Sequence, residues 1–287
     1  MKHAFIESQR SIHRVDHLCT AVGVSRSGYY AGRSRPESRR TQANRTLLDQ
    51  IRRVHTENRE AYGAVKTWRT LNEEGVPCGR HRVRRLRRIH GIEARRMRRF
   101  RAAYAARNSD PPAPNHLNRQ FAVAVPNRVW AGDITFIATR RGWLYLAVLL
   151  DLYSRRVVGW AMSNRPDGQL VLDALSMAVA HRGPSPGLIH HSDQGIQYAS
   201  RLYRNRLQAQ GMRPSMSRKG NCYDNAVVES FFSTLKNEWV FHQTFFDRDQ
   251  ARAALFDYIE LFYNRRRRHA TLNYQSPGQF EEQHPGA

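Results

Sequence analysis

The chain has 287 residues, enough for one large domain and one or two small ones. Its hydrophobic content of 40% can build a core, and its 47 Lys/Arg against 24 Asp/Glu give a formal charge of +23. Such a charge favours a polyanionic partner, most commonly DNA or RNA. The longest apolar run, 143–150, is too short to span a bilayer. Three distant cysteines exclude a disulfide framework, and the N-terminus has no secretory h-region, so we expect a cytoplasmic protein without membrane contact.

The first part of the chain has helical periodicity and most of the excess positive charge. Residues 1–110 hold 26 of the Lys/Arg and 10 of the Asp/Glu, a net of +16. In the run "VDHLCTAVGVSRSGYY" (15–30), Gly23 interrupts one helix and Ser25 is placed to cap the next. We therefore predict a helix-turn-helix over 1–45. Its candidate DNA-contacting residues are Arg26, Ser27 and Tyr29.

A second basic helical region is predicted over residues 46–105. Apolar residues recur at helical spacing in it, and the arginines of "HRVRRLRRIH" lie on the opposite face. That face is either solvated or docked on DNA phosphates, and we favour DNA. The candidate contacts are Arg84, Arg85, Arg87 and Arg88. Residues 106–125 lose periodicity and contain three prolines, which predicts a linker between separately folded blocks.

After the linker the pattern changes from helix to strand. Strands are predicted over 128–139, 142–153, 155–163, 187–193 and 212–217, and helices over 167–182, 200–211, 224–239 and 247–264. Three successive strands followed by alternating helix and strand indicate an α/β fold, with a mixed five-stranded sheet and helices on both faces. We assign this core to 126–243, followed by a C-terminal helix and basic tail over 244–287.

Three carboxylates in this core are candidates for chemistry. Asp133 lies mid-strand among apolar neighbours, where a carboxylate is costly unless it is paired or binds a metal. Asp193 ends a strand, and Glu229 lies on a helix beside an apolar stripe. Taken singly, each is equally well a turn, cap or surface residue. If they converge, they would bind hard divalent cations such as Mg²⁺. Their spacing leaves both alternatives open.

The motifs around the carboxylates resemble a known family. They read "WAGDITF" around Asp133, "HSDQGIQY" around Asp193 and "DNAVVESFFSTLKNE" around Glu229, with 35 residues between the last two carboxylates. This pattern resembles the DDE recombinases, in particular the integrase-like transposases made from the second reading frame of two-frame bacterial insertion sequences. Their core is similar to that of retroviral integrase. The resemblance covers essentially the whole chain, including the tail 262–280.

The resemblance implies an RNase H-like catalytic core preceded by an all-α DNA-binding region. It implies metal-dependent DNA cleavage and strand transfer at the ends of an insertion sequence. Asp133, Asp193 and Glu229 would hold two Mg²⁺ ions, with Mn²⁺ as a substitute, and Lys236 would touch a terminal base or phosphate. The basic tail would add nonspecific backbone contacts. Its candidate residues are Arg265, Arg266, Arg267 and Arg268.

The implied partners are the element's terminal repeats and target DNA. A homo-oligomer on DNA, and fusion with or help from an upstream-frame DNA-binding product, are also implied, as is a bacterial, nucleoid-associated location. Two other functions remain open. A helix-turn-helix repressor would explain only the first 100 residues, and a metal-dependent nuclease or Holliday-junction resolvase would share the fold and ions without joining strands.

Other polar residues near the motifs are predicted to be structural. Asp151 is expected to end a strand, and Asp224 is expected to cap the helix that carries Glu229. His190 and His191 precede Asp193 and are expected to pack within the core.

Overall fold

The structure is a computed structural model, and it describes residues 2–95, 112–218 and 222–285. The chain divides into two compact units, Met1–Gln50 and Ile51–Ala287. The boundary lies within a helix rather than in the predicted linker. None of the helices in the described ranges is long and apolar enough to cross a membrane.

The first unit is helical. It contains α1 (Lys2–Gln9), α2 (Val15–Val22), α3 (Arg26–Ser34) and the first part of α4 (Arg39–Glu57). Gly23 ends α2 at a φ of 63°, a left-handed conformation that glycine adopts at little cost. The Ser25 side chain accepts a hydrogen bond from the Gly28 N–H, which confirms the predicted cap of α3. The small core of this unit consists of Ile6, Leu18, Cys19 and Tyr29.

The second unit begins with the end of α4 and continues through α5 (Ala64–Glu73) and α6 (Arg80–Ile89). These helices are tied to the C-terminal segment of the chain. The Tyr62 hydroxyl donates to the Arg266 carbonyl, and the Arg268 guanidinium donates to Thr70 and Glu73. Residues 51–95 of the predicted region 46–105 thus lie in the same compact unit as the sheet and contact the C-terminal segment.

The described part of the predicted linker, 112–125, packs on the core. The backbone N–H groups of His116 and Leu117 both donate to the Ser215 hydroxyl, and Leu117 is buried. Residues 96–111 lie outside the described ranges. They include the end of the predicted region 46–105 and the first residues of the predicted linker, with Pro111.

A mixed five-stranded sheet forms the centre of the second unit's described residues, as predicted. Its strands are β1 (Val129–Thr139), β2 (Gly142–Asp151), β3 (Val157–Ser163), β4 (Ile189–Ser192) and β5 (Arg213–Met216). The order is β3-β2-β1-β4-β5. The first three strands pair antiparallel, and β4 pairs parallel with both β1 and β5. The long central strand β1 thus joins the antiparallel half of the sheet to the parallel half.

The α-helices after β3 include the four predicted over 167–182, 200–211, 224–239 and 247–264, and two short ones, Ile196–Ala199 and Pro277–Gln283, that were not predicted. They are α7 (Gly168–Arg182), α8 (Ile196–Ala199), α9 (Arg201–Ala209), α10 (Ala226–Glu238), α11 (Arg248–Phe256) and α12 (Pro277–Gln283). A π-helical stretch, Asp257–Tyr263, continues α11. Helix α7 packs so close to β3 that a Cβ added to Gly159 would lie 2.3 Å from the Ala174 carbonyl oxygen. The core between α7, α9 and the sheet includes Trp130, Leu149 and Leu175.

Candidate active site

The register of the parallel strands brings two of the three carboxylates together. In the parallel pairing of β1 with β4, Val129 lies opposite Ile189 and Ala131 lies opposite His191. Asp133 and Asp193 each lie two residues beyond the last of these pairs. They therefore lie at the same level on neighbouring chain segments, with Asp193 just past the carboxyl end of β4. Asp133 is half-buried, and the side chain of Asp193 is open to solvent.

Helix α10 supplies the third carboxylate. It packs on β1 and follows a short 3₁₀ turn, Cys222–Asn225. The buried Asn225 amide donates to the Gly132 carbonyl at 3.4 Å, which links the start of α10 to the residue before Asp133. Val228 and Phe232 are buried on α10, and Glu229 is exposed beside them in its first turn. The apolar stripe of α10 thus turns Glu229 outward next to β1.

The three carboxylates share one electrostatic environment. Burial raises the pKa of Asp133 well above its usual value, and the charges of Asp193 and Glu229 raise it further. Desolvation also raises the pKa of Asp193, although solvent reaches its side chain. The pKa of Glu229 is raised by partial burial and then by the charge of Asp193. Each carboxylate therefore carries an electrostatic cost that a bound cation would offset.

The donor set fits a hard divalent cation, because it consists of carboxylate oxygens alone. The three carboxylates do not form a closed set of ligands in this structure. Across residues 2–95, 112–218 and 222–285, no three His, Cys, Asp or Glu side chains lie close enough together to hold a metal ion. Asp133 and Asp193 each accept one hydrogen bond from a backbone N–H, that of Ile134 at 2.7 Å and that of Gly195 at 2.9 Å. These bonds set the orientation of two of the three carboxylates.

Lys236 lies on the same side of α10, seven residues after Glu229. Its ammonium group sits 4.6 Å from the centre of the Phe136 ring on β1. Burial lowers the pKa of Lys236, and the negative charge of Asp133 opposes that shift. The structure therefore places a cation within electrostatic reach of Asp133.

The neighbouring acidic residues are structural, but one of them differs from the prediction. Asp151 ends β2 as predicted and pairs with Arg182. Asp224 does not cap α10. It lies in the 3₁₀ turn, fully buried, and accepts from the guanidinium groups of Arg119 and Arg218. These bonds hold its pKa far below the usual value, with Arg218 as the largest cause. Asp224 therefore joins Arg218, which follows β5, to Arg119, which precedes β1.

His190 and His191 have the structural role predicted for them. Both are buried. His190 shares a hydrogen bond with the Tyr203 hydroxyl, and His191 shares hydrogen bonds with Ser215 and Ser217. Burial lowers the pKa of His190 to about 3 and that of His191 to about 4.

The predicted DNA-contacting residues of the helical regions divide by exposure. Arg26 and Ser27 are exposed at the start of α3, but Tyr29 is 2% exposed and belongs to the core of the first unit. Its ring packs in that core, and its hydroxyl donates to Glu7. On α6, Arg84 and Arg88 are exposed and Arg85 is half-buried.

Arg87 and two of the four tail arginines are used inside the protein. Arg87 is buried and donates to Thr67 and to the Tyr62 carbonyl. Arg267 is 7% exposed and donates two hydrogen bonds to Glu238. Arg268 pairs with Glu73. The exposed tail arginines are Arg265 and Arg266.

Sequence reasoning missed Asn225 as a link between α10 and β1. It also missed the basic residues that α5, α6 and the residues after α6 turn toward α10, which are Lys66, Arg80 and Arg95. The only sequence signal for Asn225 was its place in the motif that leads to Glu229. No local signal placed the three basic residues beside α10, because that contact joins segments more than 130 residues apart.

The chain is similar to known protein families over most of its length. Two integrase core domain models match residues 124–222 and 210–277. A model of an HTH-like domain matches residues 42–100. This last match covers α5, α6 and most of α4, and it does not include α2 and α3.

Three curated proteins show the extent of the similarity. The insertion element IS600 uncharacterized 31 kDa protein of Shigella sonnei is 45% identical over 267 residues, 93% of this chain and 98% of that protein. Transposase InsF for insertion sequence IS3A of Escherichia coli (strain K12) is 40% identical over 283 residues, 98% of each chain. The transposase for insertion sequence element IS904 of Lactococcus lactis (strain IL1403) is 42% identical over 82% of this chain and 93% of that protein.

Among solved structures, the HTLV-2 integrase catalytic core domain in complex with magnesium is 17% identical to this chain. The match covers 54% of this chain and 97% of that one, with a TM-score of 0.42.

Proposed function

This chain belongs to the family of integrase-core transposases of IS3-type insertion sequences, and from that premise we propose that Asp133, Asp193 and Glu229 form its catalytic centre. As a transposase, the chain acts in DNA transposition and integration. The observation that supports the proposed centre is the parallel register of β1 and β4, which sets Asp133 beside Asp193, while α10 carries Glu229 close enough to interact electrostatically with both. Mutual repulsion among these carboxylates is expected of a site built for cations.

Asp133, Asp193 and Glu229 would hold two Mg²⁺ ions, for which Mn²⁺ can substitute. When bound, two such ions supply an activated water or 3′-hydroxyl and stabilise the leaving oxygen of a phosphodiester. Asp133 is the member fixed by the sheet, because it lies on the central strand and its carboxylate is tied to the Ile134 N–H. Glu229 is exposed on a helix, so its side chain is free to change rotamer and complete the set.

Lys236 and the basic surfaces would hold the DNA. The Lys236 ammonium lies 4.6 Å from the centre of the Phe136 ring and interacts electrostatically with Asp133, and it would meet a phosphate or base at the element's end. Arg26 and Ser27 on α3, Arg84, Arg85 and Arg88 on α6, and the tail residues Arg265 and Arg266 would supply further contacts. The division of labour along the chain would be recognition by the helical regions and chemistry by the sheet.

The partners of this activity would be the element's terminal repeats and target DNA. Because joining needs two DNA ends at once, we propose that the chain works as a homo-oligomer on DNA. An upstream-frame DNA-binding product, fused to this chain or acting beside it, would assist it.

An assay with labelled element-end DNA and Mg²⁺ tests the proposal. We expect the full chain to cut the end and join it to target DNA, whereas a repressor would bind only and a nuclease or resolvase would cut only. Asp193→Asn should abolish both reactions and leave DNA binding intact, because it removes a metal ligand without adding negative charge. The matched control is Asp173→Asn, an exposed residue on α7, which should react like the unaltered chain. Unchanged turnover in Asp193→Asn would contradict the proposed centre.

A further inference from the structure

A groove lies between the helices before the sheet and helix α10, within the second compact unit. Its volume is about 680 Å³. One side presents basic residues from α5, α6 and the residues after α6, and the other presents polar residues of α10. The residues that matter are Lys66, Arg80, Arg84 and Arg95 on the first side, and Ser233 and Asn237 on the second. We call this feature the basic groove.

The charge of the basic groove is only partly offset by the protein. Arg95 pairs with Glu60. Arg80 and Arg84 are exposed, and no acidic side chain within the described ranges forms an ion pair with either of them. The one carboxylate in the lining, Glu238, is already held by Arg267. The groove therefore has a surplus of positive charge, which favours an anionic occupant.

Backbone dipoles add to this charge. Helices α5 and α6 both begin at the groove, at Ala64 and Arg80, after the glycines Gly63 and Gly79. Neither glycine offers a side chain to cap the helix, so the first N–H groups of both ten-residue helices are left for an external acceptor. Two helix N-termini and at least two unpaired arginines thus converge on one channel.

The polar side of the groove continues from the proposed catalytic centre. Ser233 and Asn237 follow Glu229 at intervals of four residues on α10, so the three side chains lie along one face. At 1.5 Å per residue, the groove begins about 6 Å from Glu229 and extends to about 12 Å. The Asn237 amide nitrogen donates to the Ser233 hydroxyl at 2.9 Å, so the two polar side chains of this wall are held together.

We propose that the basic groove holds the phosphodiester backbone of the DNA strand that enters the catalytic centre. The inference rests on the proposed function and adds the path of the strand to it. With a rise of about 3.4 Å per nucleotide, the groove spans the phosphates roughly two to four nucleotides from the reacting bond. Arg80 and Arg84 contact those phosphates, and α10 forms the opposite wall that guides the strand toward Glu229.

The test measures binding of a 30-base-pair DNA duplex by the full chain at several salt concentrations. The double variant Arg80→Ala/Arg84→Ala loses two phosphate contacts, so the slope of log affinity against log salt should fall by about 1.8. If the variant and the unaltered chain bind DNA equally at 1 M salt, this change corresponds to an affinity about 60-fold lower for the variant at 0.1 M salt. The double variant Arg80→Lys/Arg84→Lys keeps the charge and should keep most of the slope.

The matched control is Arg213→Ala. Arg213 is exposed at the start of β5, at the opposite end of the parallel strands from Asp193, and its loss should leave the slope unchanged. Thermal unfolding by circular dichroism separates a binding effect from a folding effect. Because Arg80 and Arg84 are exposed and unpaired, the double alanine variant should melt at the same temperature as the unaltered chain.

A second measurement locates the contact on the DNA. Neutral methylphosphonates placed two to four nucleotides from the reacting bond should weaken binding by the unaltered chain and have little further effect on the double alanine variant. A double variant with an unaltered salt slope would overturn the groove assignment, as would interference confined to phosphates elsewhere. If the slope falls as expected but the unaltered chain neither cuts nor joins DNA with Mg²⁺, the groove stands and the proposed function fails.

Discussion

Arg267 tests whether the run of four arginines in the tail is one DNA-binding surface. Its guanidinium is 7% exposed and donates to both carboxylate oxygens of Glu238 at 2.8 Å, and a third nitrogen lies 3.3 Å from His269. Replacing Arg267 by Ala leaves Glu238 without its partner in a mostly buried position. Breaking a buried pair in this way costs about 3–5 kcal/mol. The Glu238 side chain is 19% exposed, so water still reaches the carboxylate that loses its partner. We therefore expect a cost at the lower end of that range, about 3 kcal/mol.

That loss should appear as a fall in melting temperature of roughly 6–12 °C, at about 2–4 °C per kcal/mol for a chain of this size. Thermal unfolding at pH 7 measures it. Removing both charges, in Arg267→Met/Glu238→Gln, should cost less than Arg267→Ala alone, because no unpaired charge is then left in the interior.

The matched control is Arg266→Ala, one position earlier in the run and exposed. It should change the free energy of unfolding by less than about 0.5 kcal/mol, since the hydrogen bonds of Arg266 with Tyr62 and Phe262 are made by its backbone and alanine keeps them. It should instead lower the salt slope of DNA binding by about 0.9, as expected for one lost phosphate contact. If Arg267→Ala melts like the unaltered chain and weakens DNA binding with the slope change expected of Arg266→Ala, the assignment of Arg267 to the interior is refuted.

Three further predictions concern stability. Gly159→Ala should destabilise the sheet unit by about 1–3 kcal/mol or more in denaturant unfolding, because the new methyl meets the backbone of α7; an unchanged midpoint would contradict that packing. Burial lowers the pKa of His190 to about 3 and that of His191 to about 4, so only the unfolded chain takes up protons there as the pH falls below 6.5. The free energy of unfolding should therefore fall as the pH drops toward 4, by about 2 kcal/mol for each histidine at pH 5. His191→Gln should flatten that pH dependence, and an equally steep loss would count against it. Ser25→Ala should cost about 1 kcal/mol of helix stability, whereas Ser27→Ala on the exposed face should cost little.

Local pattern determined much of this protein from the sequence. The sequence pattern predicted the five strands and four of the helices that follow the first three strands, and the structure confirms their order and approximate bounds. The cap at Ser25 and the break at Gly23 were readable because both depend on the chain's nearest neighbours. The motifs around Asp133, Asp193 and Glu229 pointed to the family, and relatives 40–45% identical over most of the chain confirm it.

Tertiary structure alone decided which of several identical side chains face the solvent. The sequence offers no difference between Arg266 and Arg267, but the second meets Glu238, 29 residues away, and the first does not. Asp224 looked like a cap from its position before a helix, and it is instead buried against arginines on two other segments. Helical spacing gives the direction of a side chain within its own helix. The partner that the side chain meets there belongs to another part of the chain, and the free energy of that contact determines whether the residue serves the interior or the DNA.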